Sequence, residues 1–175
     1  MKKLWLVVLF LLAGLAFGLV WLTMYRLDVH QRLLALPDRE QVWIKLGSQK
    51  LLVEVVNTPS SRTQGLSGRE QVGGKSSQVQ GMLFVFPQSG QPWFWMKEMK
   101  FDLDLVWIDH NQVQEVTPNV PAPSSEIRED QLPFYSPTQS VKMVLEVPAQ
   151  QYQFMPGDKF KLISQSSLLQ SLVDN

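Results

Sequence analysis

Two hydrophobic patterns divide the chain. From position 4 to position 24 the side chains are apolar on every side of any helix that could be drawn through them, with Thr23 the one clearly polar interruption. From position 42 onward, short apolar runs rich in β-branched and aromatic residues alternate with turn chemistry, and no long 3.6-residue period appears.

The first pattern predicts a membrane-spanning helix. A helix over those positions is about 31 Å long at about 1.5 Å per residue, which matches a hydrocarbon core of roughly 30 Å. Gly14 and Ala16 offer a signal-peptidase alternative, but cleavage there leaves the greasy end FGLVWLTMY, so an uncleaved signal-anchor is favoured. Lys2 and Lys3 face Arg26, Arg32 and Arg39 across the span, a near-tied charge vote. The short leading tail favours an inside amino terminus, which puts residues 42–175 outside the cytoplasm, periplasmic or extracellular. Residues 25–41 read as a juxtamembrane linker that extends the helix until Pro37, with Leu27, Leu33, Leu34 and Leu36 against the membrane and His30 in solvent.

The second pattern predicts strands in VWIKLG, LLVEVVNT, GMLFVFP, PWFWMKEM, LDLVWID, VQEVTP, VKMVLEVP and KFKLIS, with GSQK as a hairpin turn. The fold class expected is mainly β: one two-layer sandwich or jelly-roll-like domain, or a partly closed barrel, over 42–175. One or two short helices interrupt it. NTPSSRTQGLSGRE offers Ser60 or Ser61 as a helix N-cap and is cut short by Gly65 and Gly68, and AQQYQFMPGD has room for another turn. Residues 121–138, with four prolines, read as a long surface loop of the kind that binds partners. In the tail, Leu168, Leu169, Leu172 and Val173 recur at helical spacing.

Composition narrows the chemistry. There is no cysteine, which excludes disulfides, thiolate metal sites and cysteine nucleophiles, and the balance of 16 basic against 16 acidic residues gives no stripe for nucleic acid. No cofactor motif is present: Gly73-Gly74-Lys75-Ser76 resembles the end of a P-loop, but its earlier glycine is Arg69. His110, in Asp109-His110-Asn111-Gln112, belongs at an exposed hairpin tip, a poor place for a catalytic imidazole. Asp109 and Asn111 begin a calcium loop that no further acidic ligands complete, and neither zinc nor any other metal has a ligand set. Acid/base work by Asp102, Asp104, Glu146 or Asp158 is what remains for an enzyme.

In WFWMKEMKFDLDLVWIDHNQ, strand alternation makes both faces largely apolar, so the tryptophan-rich ribbon reads as interior. A buried Asp104 then needs a partner, and Lys97, Arg62 and Arg69 are the candidates. The motif order RTQGLSGRE, GMLFVF, FWMKEMKFDLDLVWID, Tyr135-Ser136, VLEVPA and Gly157-Asp158 resembles the family called domain of unknown function 192, over roughly residues 42–163. The resemblance places the family's polar positions on Arg62, Arg69, Lys97, Asp104 and Glu146. This chain departs from the family pattern at Ser67, Glu98-Met99, Asp102 and Gln150. What the resemblance implies is a compact, mostly β domain, often exported or anchored, with no assigned activity.

The function expected is a membrane-anchored extracytoplasmic binding or accessory module with no catalytic constellation. It would act on an envelope protein, glycan or small molecule through the 121–138 loop and the aromatics Trp93, Phe134 and Tyr135. The alternative is a carboxylate-dependent hydrolase or isomerase. The polar set Arg62, Arg69, Lys97, Asp104 and Glu146 stands as either a site or a structural network.

Overall fold

The computed structural model describes residues 28–73, 78–124 and 126–165. The apolar run at 4–24, the Gly74-Lys75-Ser76 part of the P-loop-like stretch and the leucines of the tail lie outside the described residues. Among the described residues, no helix is long and apolar enough to cross a membrane.

The described residues form nine strands and two short α-helices: α1 (Val29–Leu34), β1 (Gln41–Leu46), β2 (Gln49–Val56), α2 (Pro59–Gln64), β3 (Gly81–Gly90), β4 (Phe94–Trp95), β5 (Leu103–Asp109), β6 (Gln112–Val120), β7 (Phe134–Tyr135), β8 (Val141–Pro148) and β9 (Phe160–Gln165). Seven strands form one sheet in the order β6-β5-β8-β3-β2-β1-β9, antiparallel except for β2 beside β3. Strands β4 and β7 pair separately as a small ribbon. The two edges of the large sheet approach each other at one end: a Gln112–Lys159 bridge joins β6 to the chain just before β9, and the Phe160 amide donates to the Asn111 carbonyl at 2.9 Å. The sheet is therefore a curled half-barrel, one of the alternatives the strand pattern allowed, and not two stacked sheets.

Alternation along the strands buries both faces. One face, drawn from every strand of the large sheet, closes a core around Val42, Ile44, Val53, Leu83, Val106 and Leu145. Helix α1 packs into it: Leu33 and Leu36 are buried in this core, not turned to a membrane. Their backbone carbonyls accept from the Asn57 amide at 3.2 and 2.9 Å, which satisfies the end of the helix. His30 is likewise buried, not solvated; its Nε2 lies 2.7 Å from the Phe86 carbonyl oxygen and donates to it.

The other face carries Met82, Phe84, Leu103, Leu105, Trp107 and Val144, roofed by α2 with its following turn and by the β4–β7 ribbon. Helix α2 starts from a capping box on Thr58, not Ser60 or Ser61 as expected; Ser61 is the reciprocal partner and Pro59 fits the first turn. Asp38 accepts from the Ser61 hydroxyl at 2.7 Å and anchors that end. Gly65 ends the helix with φ +51°, and a Cβ there would meet the Phe84 ring at 3.2 Å. Gly81 is required for a different reason: a Cβ would stand 2.9 Å from the Glu146 carbonyl oxygen on β8. The segment 149–158 turns without forming a helix. Residues 121–138 run largely as a loop but contain a 3-10 turn (Glu129–Gln131) and β7.

Candidate functional site

The five polar residues that sequence singled out separate into different places. Arg69 donates to both Glu54 carboxylate oxygens at 2.8 and 2.9 Å, and Arg39 adds a third bond at 2.6 Å. Burial pushes the Glu54 carboxyl up, but these bonds outweigh it and hold the group below its ordinary value. Lys97 does not meet Asp104. It pairs with Glu129 at 2.7 Å near the surface and lies over the Trp95 ring at 5.4 Å. Asp104 is buried as expected, yet its partners are backbone amides rather than cations: Asn119 at 2.7 Å and Gln150 at 3.1 Å. Asn119 and Gln150 both hold positive φ, so this carboxylate ties an irregular stretch near the end of β6 and the turn after β8 to β5.

Arg62 and Glu146 are brought to one cleft, of about 400 Å³, between the α2 turn and the ribbon. Glu146 stands on its floor. It lies in β8 opposite Met82 of β3 and Leu105 of β5, with apolar neighbours on both sides. Only 5% of the residue is exposed, and its carboxyl has no hydrogen-bond partner among the described residues. Burial with no compensating partner pushes its pKa up to about 8. That direction favours the protonated, neutral acid at neutral pH.

The walls are aromatic. Phe94 meets Phe84 edge-on at 5.0 Å and Trp107 at 5.6 Å, which fixes the inward side of the ribbon. The outward side differs from the interior ribbon expected: Trp93 is 72% exposed and Trp95 38%. Trp95 stacks on Phe134 with ring centroids 5.7 Å apart and 13° between planes, and Trp93 leans on the same ring at 5.6 Å. Pairing of β4 with β7 thereby sets Phe134 beside the cleft rim, with Tyr135 opposite Phe94. Of the tryptophans in this stretch Trp107 is the interior one; its indole donates to Thr117 at 2.9 Å.

Arg62 forms the α2 wall. Its Nη1 donates to the Asn57 and Val85 carbonyls at 2.5 and 3.0 Å, and its guanidinium lies 5.2 Å from the Phe86 ring centroid. Burial pulls its pKa down and the charge of Asp38 partly restores it. Among the described residues, Glu146 is the one carboxylate lining the cleft, and no second carboxylate stands there to pair with it as in glycoside hydrolysis. Asp102 instead accepts from the Ala122 amide, and Asp158 from the Met155 amide. His110 does stand at an exposed hairpin tip, with Asn111 beside it and both at positive φ. Among the described residues no group of His, Asp and Glu is arranged to hold a metal.

This half-barrel with its ribbon recurs in known proteins. The DUF192 family, described as "Uncharacterized ACR", matches residues 42–162. The chain belongs to the DUF192 family. Two solved structures resemble this DUF192 domain. A "putative transcription regulator" from Sinorhizobium meliloti 1021 is 26% identical, with a TM-score of 0.58 over 73% of this chain and 98% of that one. A protein of unknown function from Novosphingobium aromaticivorans DSM 12444 is 19% identical, with a TM-score of 0.56 over 69% and 84% of the two chains, and shows the fold alone. No curated protein matches.

The sequence signal that could have singled out Glu146 was its place in the apolar run of VKMVLEVP, an acid between Leu145 and Val147. The aromatic rim had a weaker signal. Trp93 follows Pro92 and precedes a two-residue strand, a length too short to bury on both faces.

Proposed function

We propose that this DUF192 chain is a ligand-binding module, held at a membrane through residues 4–24 with its folded part outside the cytoplasm, and that its ligand seats in the cleft above Glu146. The observation that carries the reading is the floor of that cleft. A buried carboxyl without a partner costs about 1–3 kcal/mol in unmade hydrogen bonds, and a bound molecule is what would recover it. The aromatic walls add apolar contact area, and a concave cleft that combines aromatic side chains with a few polar groups is the ordinary form of a small-molecule site. The apolar leader and the family resemblance support the tether and its orientation. The regulator name attached to the Sinorhizobium protein does not transfer: 16 basic against 16 acidic residues leave no field for a phosphate backbone.

The test is nuclear magnetic resonance of the full-length chain in detergent micelles, following the indole N–H signals while small aromatic compounds are added. Shifts at Trp93 and Trp95, with Trp107 unmoved, are expected. Saturating binding that leaves Trp93 and Trp95 unmoved, or no binding by any compound, would refute the reading.

A further inference from the structure

The cleft holds one group whose hydrogen-bonding capacity nothing in the protein uses. Arg62, the cation on the wall, is already compensated: two carbonyls accept from Nη1 and Asp38 supplies the opposing charge. Two neighbouring sets of charges are matched as well. On β2, Glu54 is held by Arg39 and Arg69, and beyond the ribbon Lys97 is held by Glu129. On β5 the residues sharing this face are Leu103, Leu105 and Trp107. Glu146 is left alone, and the space above it is bounded by the rings of Phe84, Phe86, Phe94 and Trp95.

Ring faces carry negative quadrupole density. They attract a cation and repel an anion. The protein's own cations already use rings at this rim, Arg62 over Phe86 and Lys97 over Trp95. From the unpartnered Glu146 carboxyl enclosed by aromatic faces, we propose that the cleft binds a small organic ammonium with an apolar body, its N–H groups donating to the Glu146 carboxylate. The inference rests on the cleft-binding reading above and names the chemistry of its ligand. Proton balance follows directly: the free protein holds Glu146 as the acid, the amine arrives as ammonium, and one proton leaves to solvent when the ion pair forms.

Phenethylamine, phenethyl alcohol and phenylacetate share one ring and one chain and differ in charge, so they serve as probes on the full-length chain in micelles. With Glu146 titrating near pH 8, phenethylamine affinity should rise about tenfold per pH unit below that point and level off above it. Glu146→Gln keeps the shape and cannot ionise; it should weaken the amine more than tenfold and the alcohol by a much smaller factor. Phe94→Leu should weaken the amine several-fold more than the alcohol. Equal or tighter binding of the alcohol or of phenylacetate, or amine affinity that falls as pH rises toward 8, would overturn the ammonium assignment while the cleft stands. Absence of all three probes from the cleft would overturn both.

Discussion

Replacing Glu146 by glutamine removes a titrating group and almost no volume, so its effect on stability isolates the proton. In the folded chain the carboxyl titrates near 8; in the unfolded chain it returns to about 4.5. The folded state therefore binds more protons than the unfolded state between these values. Its contribution to stability is fully present below pH 4.5, is lost as pH rises, and is gone once pH passes the folded value. The difference of 3.5 units, 8 minus 4.5, corresponds to about 5 kcal/mol at about 1.36 kcal/mol per unit. Urea denaturation of wild type and Glu146→Gln at a series of pH values reads this directly. The two proteins should be of similar stability at pH 4. The glutamine variant should lead by about 3 kcal/mol at pH 7 and by about 5 kcal/mol at pH 9. Parallel curves, or a wild type that gains on the variant as pH rises, would mean that Glu146 is ionised and paired in the folded chain, and the reasoning would fail.

Four further outcomes are expected. Asp104→Asn sets an amide group against the Asn119 and Gln150 N–H donors and should cost about 2 kcal/mol in chemical denaturation, with ligand shifts at Trp95 preserved. Glu54→Gln strands Arg39 and Arg69; because both are partly exposed, about 2 kcal/mol is expected, and since its folded pKa is depressed the wild-type advantage should be present at neutral pH and vanish as pH falls through that value. Lys97→Met removes a surface pair with Glu129 and should leave the melting temperature within error of wild type, a larger loss arguing for a buried role. A reporter fused to the carboxy terminus should be active when it is one that works outside the cytoplasm and silent when it is one that works inside; the reverse pattern would refute the proposed orientation.

The strand periods were legible because the faces they bury differ so little from one strand to the next. GMLFVF and LDLVWID alternate into both cores and appear as β3 and β5 where the apolar runs place them. Whether they closed as a sandwich or curled as a half-barrel was not legible, since that depends on the Gln112–Lys159 bridge between residues far apart in sequence. Asp104 and Glu146 looked equivalent, each an acid inside an apolar strand. Register separates them: Asp104 sits where two positive-φ residues, Asn119 and Gln150, present amides, and Glu146 sits between Met82 and Leu105, whose side chains present no donor. Sequence turns Leu33 to a membrane and His30 to solvent because an amphipathic helix next to a greasy leader carries no mark of which apolar phase it covers. Here it covers the half-barrel. The exposed Trp93 and Trp95 follow from the same blindness in reverse, because aromatic residues at a rim and in a core are written alike.

Carbon-13 resonance of the side-chain carboxyls in glutamate-labelled full-length protein, with Glu146→Gln used to assign the signal, would test the unpartnered acid on the cleft floor most directly. A Glu146 midpoint near pH 8, moving downward when phenethylamine is added, is the predicted result. A midpoint at or below the ordinary glutamate value in the ligand-free protein would contradict it.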